Sequence, residues 1–507
     1  MLLPGFEGPN LHAWGVVSGA QAEIQTGSEA MTAQTFGWKS KRVAGMAIGA
    51  IAMLAVAGPA LTDDNGDDNG NGKKDEVFQV TTVIQVPGTT TMTPFFSFDI
   101  SWFDPTHKKF FLADRNSKAV DVVDATKLGQ GVVAQFKPPP PQAFAGPNAN
   151  PDLQGPNGVL TANNDTELWV GDTPGRVWVF DSGTGAKITL PAPATNPISV
   201  GGATRADELC YDPKDNLIMI ASPGEGFVSF ISTAGANKGQ VVGQISFGAP
   251  ATGIEQCGWS PTTGKFYQNL PGDPPPAGGQ DRVAVITPST TRGGVLDHFI
   301  AININDCSGL RGMAIGPDNQ ILLGCNAAAT PGGPRNSLVI DARSGATATV
   351  LKVLTELGGV DQVWFNPDDN HYILPSCNGA CRQVPGGPEL LFIVDSSGIK
   401  LDSSVTIGRQ NGDTTPLPPP NPRVVHSAAA GGNLIFLPIP AVGGGTVTVP
   451  RFDPTLCDTF DDFTRVGSPS TAVGCIVILQ AKPDKDDKVA KKGEGNDNSQ
   501  GDDNSQD

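Results

Sequence analysis

The chain has 507 residues, a formal net charge of −17 and only 17% charged residues, with 63 glycines and 44 prolines. This glycine and proline content argues against a helical enzyme and is normal where tight turns join short strands. Nucleic acid binding needs a clustered basic surface, and the acidic sequence has none, so we exclude nucleic acid as a partner.

Residues 1–60 are predicted to be an N-terminal extension that includes a signal peptide. Lys39, Lys41 and Arg42 precede an apolar stretch, 43–57, that ends in Ala-Val-Ala. A basic region, an apolar region and an A-x-A site are typical of a secretory signal. The alternative is a membrane anchor, but the stretch is shorter than the roughly 20 residues of a spanning helix. We therefore predict export, to the periplasm or the extracellular space, with no membrane span after cleavage.

Two polar segments flank the rest of the chain. Residues 61–76 are an acidic Asp/Asn/Gly tract, and residues 481–507 are rich in Asp, Asn, Lys, Gln and Gly. Neither segment contains enough apolar residues to compensate for the entropy of ordering. We predict a disordered linker and a disordered tail around one folded domain at 77–480.

Within that domain the sequence repeats between Phe98 and Pro438. Each copy has a polar residue, a short apolar run, an Asp-Pro-like turn, a second apolar run, a Gly/Asn/Pro loop and a third run. A period of about fifty residues with strand-length runs is typical of a β-propeller. The predicted third strands are Val120–Asp124, Val177–Asp181, Val228–Ser232, Val283–Thr287, Leu338–Asp341, Leu391–Asp395 and Thr446–Val449.

Seven copies predict an all-β, seven-bladed β-propeller. Six blades are the alternative, should the weak copy at Arg423–Val449 be an excursion. The ring must close, because an open ring leaves two unpaired sheet edges. Val77–Val86 and Val473–Gln480 are strand-like runs without a copy of their own, so we expect them to complete one blade from opposite ends of the chain.

Eight cysteines, an even number, fit an oxidising compartment. Local pairings are favoured, and Cys210 and Cys257, at matching places in successive repeats, would bridge adjacent inner strands. The other predicted pairs are Cys307–Cys325, Cys377–Cys381 and Cys457–Cys475.

One position of the repeat, five residues before the turn, is unusually polar. In a propeller, equivalent positions at the start of the innermost strands form a ring at one mouth of the central channel. Crowded carboxylates repel unless a cation, an arginine or protonation intervenes. The ring residues are Asp99, Asn157, Asp207, Glu255, Arg311, Asp361 and either Val425 or His426, with Glu208, Gln256 and Gln362 beside them.

Two readings of this ring remain open. Oxygen-rich surroundings without thiolates suit a hard divalent cation, calcium above all. The alternative is a water-filled polar channel in which Arg311 is the counter-ion and no metal is bound.

Two short motifs resemble a known family. The segment from Glu255 to Tyr267, EQCGWSPTTGKFY, resembles the Glu-x-x-x-Trp-x-Pro-x-x-Gly-x-x-Tyr opening of the senescence-marker-protein/gluconolactonase family, and Gly155-Pro-Asn-Gly resembles its Pro-Asn-Gly. Those proteins are six-bladed, calcium- or zinc-dependent lactone hydrolases with the metal at the channel mouth. The resemblance implies Glu255 and Asn157 as metal ligands, with Asp207 or Asp361 as third ligand and base. Over the whole repeat region, the chain resembles secreted bacterial propellers of the NHL, YVTN and lactonase-like kinds.

Two functional hypotheses follow, and the sequence leaves open whether the protein is an enzyme. We favour a monomeric binding module for a small-molecule, glycan or protein ligand, with Asp99, Arg311 and His426 in the site, because the Asn motif precedes the Glu motif, which falls in the fourth repeat. The alternative is a lactonase-like hydrolase that uses a divalent cation. Its predicted metal ligands are Asn157, Asp207, Glu255 and Asp361, with Asp207 and Asp361 as candidate catalytic residues. Other catalytic templates, G-x-S-x-G and H-E-x-x-H, are absent from the sequence.

Overall fold

A computed structural model describes ten parts of the chain: residues 78–90, 93, 95–248, 253–272, 280–327, 335–355, 357–376, 390–406, 425–440 and 474–481. The predicted signal peptide and linker, the tail beyond residue 481, the predicted strand Thr446–Val449 and the predicted Cys377–Cys381 pair lie outside these residues. None of the helices in the described parts combines the length and the apolarity that crossing a bilayer requires.

The described residues form seven four-stranded antiparallel sheets, the blades, numbered here in chain order. A first strand, β1 (Phe78–Gln85), precedes blade 1 and belongs to the last blade. Blades 1 to 3 consist of β2 (Phe98–Asp104), β3 (Lys109–Asp114), β4 (Ala119–Asp124) and β5 (Val132–Phe136); β6 (Val159–Ala162), β7 (Glu167–Asp172), β8 (Arg176–Asp181) and β9 (Ile198–Ser199); and β10 (Leu209–Asp212), β11 (Leu217–Ser222), β12 (Phe227–Ser232) and β13 (Val241–Ser246).

Blades 4 to 7 repeat this arrangement. They consist of β14 (Cys257–Ser260), β15 (Lys265–Leu270), β16 (Arg282–Ser289) and β17 (Gly293–Ala301); β18 (Ser308–Ile315), β19 (Gln320–Ala327), β20 (Ser337–Asp341) and β21 (Val350–Leu354); β22 (Trp364–Asn366), β23 (His371–Pro375), β24 (Leu390–Asp395) and β25 (Lys400–Thr406); and β26 (Ala429–Gly431), β27 (Leu434–Ile439), β28 (Cys475–Ala481) and β1. Three short 3-10 turns, Leu128–Gln130, Pro151–Leu153 and Gly235–Asn237, lie in loops.

The blades close into a ring of seven. The inner strands contact one another in the order β2, β6, β10, β14, β18, β22, β26 and back to β2. The seven-bladed prediction is therefore confirmed, and the six-bladed alternative is wrong. Six of the predicted third strands match β4, β8, β12, β16, β20 and β24 to within a few residues.

Blade 7 is built from both ends of the described chain. Strand β28 lies between β27 and β1, with Phe78 opposite Ala481 and Gln85 opposite Cys475. The prediction that the terminal strands share a blade is confirmed. Closure in this way pairs strands that would otherwise present open edges.

The Asp-Pro turns form because an aspartate side chain can take the place of a backbone acceptor. Oδ1 of Asp104 accepts hydrogen bonds from the backbone N–H groups of Thr106 at 2.8 Å and His107 at 2.9 Å. Oδ1 of Asp212 accepts from Lys214 in the same way, at 2.9 Å. Such Asx turns connect the first and second strands of a blade with few residues.

The core is divided into seven apolar clusters, each between two neighbouring blades. Middle strands are covered on both faces, and every residue of β7 and of β11 is buried. Strands of this kind show continuous apolar runs because neither face meets water. Trp169 and Trp178, from adjacent strands of blade 2, pack into different clusters on its two sides.

Two predicted disulfides are present. Cys210–Cys257 joins β10 to β14 across two blades, with Cα atoms 5.8 Å apart, and Cys307–Cys325 lies within blade 5, with Cα atoms 5.6 Å apart. Cys475 is also disulfide-bonded, and its predicted partner Cys457 lies outside the described residues. These bonds indicate a non-reducing compartment.

Candidate functional site

The polar column of the repeat lies at the start of the inner strands, where neighbouring blades bond to one another. The backbone N–H of Gln256 donates to the carbonyl of Arg311 at 3.2 Å, and that of Gln362 donates to the carbonyl of His426 at 2.9 Å. The second bond gives His426 the same position in blade 7 that Arg311 has in blade 5. His426 is therefore the seventh ring residue, whereas Val425 is buried in the core between blades 6 and 7.

Glycines allow this close approach. A Cβ on Gly158 would lie 2.1 Å from the carbonyl oxygen of Asp207, and one on Gly312 would lie 2.3 Å from that of Asp361. Both glycines directly follow a ring residue, Asn157 and Arg311 in turn. The absence of a side chain there lets the next ring residue come into place.

Arg115 connects the first two ring residues. It follows β3, and its guanidinium forms a short ion pair with Asp99 and donates to Oδ1 of Asn157 from Nη2 at 2.8 Å and from Nε at 3.2 Å. The side chain of Arg115 is only 9% exposed. Burial raises the pKa of Asp99, but the charge of Arg115, together with a hydrogen bond to His426 and the charges of His426 and Arg205, brings this pKa below its usual range.

The side chain of Asn157 is held on both ends. Its Oδ1 accepts from Arg115, while Nδ2 donates to the carbonyls of Gln154 and Ala206, both at 3.1 Å. The amide is completely buried. As placed here, Asn157 positions Arg115 rather than presenting a free oxygen.

Arg205 and Asp207 form a second ion pair, with Nε 2.7 Å from Oδ2. Arg205 also lies 3.9 Å from Asp152. Burial raises the pKa of Asp207 to about 6, Arg205 opposes this rise, and the negative charges of Asp99 and Asp361 add to it. The pKa of Asp207 is therefore well above that of an exposed aspartate.

Two glutamines that follow ring residues tie successive blades together. Oε1 of Gln256 accepts from the backbone N–H groups of Met313 at 2.7 Å and Val363 at 2.9 Å, which belong to the next two blades. Nε2 of Gln362 donates to the carbonyl of Ser101 at 2.9 Å, and its Oε1 accepts from Ser427. Both side chains thus complete hydrogen bonds near the axis of the ring.

Glu208 occupies the equivalent position in blade 3 and behaves differently. The residue is 8% exposed, and no described residue donates to its buried Oε2 atom. Burial raises its pKa well above the usual range, and the charges of Asp207, Asp361 and Asp99 raise it further. Glu208 is therefore a desolvated acid with an unsatisfied oxygen, where its glutamine counterparts are fully bonded.

His426 lies against the edge of this group. Its ring stacks on Phe98 with centroids 4.6 Å apart and planes 4° apart, and its Nε2 is 3.8 Å from Oδ1 of Asp99. Stacking fixes the plane of the imidazole, so its nitrogen is held near Asp99. We call Asp99, Arg115, Asn157, Arg205, Asp207, Glu208, Asp361 and His426 the ring cluster.

Glu255 and Arg311 form a separate pair. Arg311 donates to Oε1 of Glu255 in a short contact, with Glu255 7% exposed and Arg311 37% exposed. Neither residue is among the charges that contribute most to the pKa shifts of Glu208 and Asp207. The predicted metal ligands are therefore divided: Glu255 is paired with an arginine of the next blade, and Asp207 and Asp361 interact within the ring cluster.

Within the described parts of the chain, no group of three or more His, Cys, Asp or Glu side chains is arranged to hold a metal ion. The cation hypothesis and the catalytic roles suggested for Asp207 and Asp361 stay predictions. The ligand-binding role suggested for Asp99, Arg311 and His426 also stays a prediction.

Two cluster residues, Arg115 and Arg205, did not emerge from the sequence. Arg115 comes from the loop after β3, sixteen residues beyond Asp99, so no periodicity connects them. Arg205 precedes Asp207 by one intervening residue. The signal that could have found it is a basic residue directly beside the polar column.

No family model matches the chain, and no curated protein sequence matches it. Among solved structures the chain is similar to β-propeller proteins. Hydrazine synthase from Kuenenia stuttgartiensis shares 15% identity and a TM-score of 0.47, over 68% of this chain and 92% of that one. A chain in the crystal structure of a mitotic checkpoint complex shares 12% identity and a TM-score of 0.45, over 76% of this chain and 95% of that one. At these values neither similarity bears on function.

Proposed function

We propose that the protein is an exported β-propeller that works as a binding module, with a small polar ligand held by the ring cluster. The observation that carries this proposal is that Oε2 of Glu208, a buried acid, lacks a hydrogen-bond partner among the described residues. A buried polar atom without a partner costs roughly 1–3 kcal/mol, a cost that a ligand donor would remove.

The surroundings support this assignment. Glu208 is within electrostatic range of Asp99, Asp207 and Asp361, which come from blades 1, 3 and 6. Side chains from separate blades that converge at one place are typical of propeller binding sites, because each blade contributes through its own loop. The disulfides and the predicted signal sequence agree with export, and the repeat resembles that of NHL- and YVTN-like propellers.

The proposal is tested by a thermal-shift screen of purified protein against glucose, gluconate, citrate, glycine, putrescine and calcium chloride. We expect at least one compound to raise Tm in a concentration-dependent way, as ligand binding to the folded state requires. The rise should be smaller in Glu208→Gln and Asp361→Asn. Glu167→Gln is the matched control. Glu167 is a similarly buried glutamate at the end of blade 2 that faces away from the ring cluster, and it pairs with Lys238 of blade 3.

A Tm rise that is unchanged in both ring variants would contradict the proposed site. The metal-dependent hydrolase is separated by metal analysis before and after chelation. Stoichiometric metal, together with lactone hydrolysis that Asp207→Asn abolishes, would favour it over the binding module.

A further inference from the structure

We infer that the ligand of the ring cluster carries a positively charged nitrogen, such as a primary ammonium group, and that Glu208 gives up a proton to the solvent when it binds. This inference rests on the proposed function and names the chemical class of its ligand.

The first argument is the charge balance. Four carboxyl groups, those of Asp99, Asp207, Glu208 and Asp361, interact with two guanidinium groups, those of Arg115 and Arg205. His426 lies beside Asp99, and once Glu208 is ionised, even a protonated His426 leaves one carboxylate unmatched, which a cationic ligand would balance. In a buried setting an added positive charge is attracted strongly, whereas an anion would be repelled.

The second argument is that the guanidinium groups are already engaged. Arg115 is bound to Asp99 and Asn157, and Arg205 is paired with Asp207 and near Asp152. An anionic ligand would have to compete with these carboxylates for the charge of the guanidinium groups. Glu208, by contrast, has an oxygen that accepts nothing from the described residues.

The third argument separates an ammonium group from a metal ion. A metal needs several donor atoms at about 2.0–2.6 Å, and the described carboxylates do not converge in that way. An ammonium group forms hydrogen bonds at longer N···O distances, about 2.7–3.2 Å, and each of its hydrogens can bond to a different carboxylate. Asp207, Glu208 and Asp361 come from two blades and interact electrostatically, which agrees with an ammonium group that bonds to more than one of them.

Proton release follows from the state of Glu208 without ligand. Its buried Oε2 accepts from no described residue. Burial and the neighbouring carboxylates Asp207, Asp361 and Asp99 raise its pKa well above normal, with Arg205 opposing them, so the protonated form is favoured far more than in an exposed glutamate. A cation beside it favours the ionised form. The O–H bond of Glu208 then breaks, the electron pair stays on the carboxylate, and the proton passes to the solvent.

The test is isothermal titration of the full protein with putrescine, and with glucose, gluconate and calcium chloride in parallel, at pH 6, 7 and 8. For putrescine at pH 7 and 8, titration in phosphate and in HEPES, which differ in ionisation enthalpy, gives the number of protons released; calcium chloride is titrated in HEPES alone, because calcium phosphate precipitates. We expect putrescine binding, release of up to one proton, and an affinity that rises with pH by up to about tenfold per unit. At pH 8, where Asp207 with its pKa of about 6 is already ionised, Glu208→Gln should weaken binding about tenfold or more and abolish the proton release, whereas Glu167→Gln should change neither.

Several outcomes would overturn the inference. Binding of glucose or gluconate at the ring cluster, with no putrescine binding, would refute the cationic ligand but leave the proposed function standing. Calcium binding alone would refute it in favour of a metal site. Putrescine binding with unchanged proton release in Glu208→Gln would place the cation elsewhere. Asp361→Asn provides a second test if Glu208→Gln is poorly folded, and no binding by any compound contradicts both proposals.

Discussion

Nη2 of Arg115, from the loop after the second strand of blade 1, lies 2.8 Å from Oδ1 of Asn157, at the start of the inner strand of blade 2. The same guanidinium pairs with Asp99 at the start of the inner strand of blade 1. One side chain thus connects two ring positions that are 58 residues apart in the sequence. The ring is a bonded network at this point.

The Arg115–Asp99 pair predicts a large loss of stability on truncation. Arg115→Met would leave the carboxylate of Asp99 buried without its main counter-ion, and loss of one partner of a buried pair costs about 3–5 kcal/mol. Urea unfolding at pH 7 measures this. The double variant Arg115→Met/Asp99→Asn removes the stranded charge and should recover most of the loss. Equal stability of the single and double variants would contradict this account.

The Glu255–Arg311 pair predicts a smaller, salt-dependent effect. Arg311 is 37% exposed, so water and ions screen its charge, and Arg311→Met should cost about 1 kcal/mol or less at low salt. The backbone carbonyl of residue 311, which accepts from Gln256, is kept in the variant. Unfolding at 20 mM and 1 M sodium chloride should show the cost shrinking with salt, whereas that of Arg115→Met should persist. Equal salt dependence of the two variants would refute the contrast.

The blade order was predictable from the sequence because each strand lies near its partners along the chain. Six third strands could be located from their apolar runs, since both faces of a middle strand are buried and the pattern is strong. The seventh could not be assigned correctly: the prediction placed it at Thr446–Val449, outside the described residues, but β28 supplies that position. The terminal runs that form β1 and β28 were recognised and assigned to one shared blade, but the weak last repeat did not show that β28 takes the third position of that blade.

The Cys210–Cys257 bond predicts strong stabilisation of the ring. A crosslink over 47 residues lowers the entropy of the unfolded chain, which corresponds to about 4 kcal/mol, against about 3 kcal/mol for the 18-residue separation of Cys307–Cys325. We expect Cys210→Ser/Cys257→Ser to lower Tm more than Cys307→Ser/Cys325→Ser. Thermal unfolding by circular dichroism decides the order, and the reverse order would show that loop entropy does not dominate.

A buried aspartate pair in blade 1 predicts that replacing Asp121 by asparagine stabilises the folded state more as the pH rises. Asp121 and Asp114 lie on adjacent strands without exposure, and burial together with the charge of Asp114 raises the pKa of Asp121 well above normal. The folded state therefore keeps a proton that the unfolded state loses. The contribution of this proton to the stability of the folded state is complete below the unfolded-state pKa of about 3.9. It is lost as the pH rises through the folded-state pKa of Asp121. Asp121→Asn mimics the protonated acid and keeps the acceptor for Gln135, so its advantage over the native protein should grow from pH 5 to pH 9.

Asp124, at the end of the same strand, is the matched control. Hydrogen bonds from Thr126 lower its pKa, so its contribution is present above the unfolded pKa and lost as pH falls through the folded pKa. Asp124→Asn should therefore lose its small disadvantage as the pH falls towards 3. Tm measured from pH 3 to pH 9 gives both trends. An advantage of Asp121→Asn that does not change with pH would contradict the account based on the retained proton.

The sequence by itself determined the number of blades, two disulfides and the column of polar residues at the start of the inner strands. Each of these features can be predicted from short-range sequence patterns, because turns, strands and repeats involve residues that are close together in the chain. Only the tertiary structure decided which side chains meet between blades: Arg115 reaches Asn157 in the next blade, and Glu255 is bound to Arg311 of the next blade. It also decided that Glu208 lacks a partner where Gln256 and Gln362 are satisfied. Those contacts depend on how closely neighbouring blades approach one another around the ring. The period of the repeat does not determine that distance.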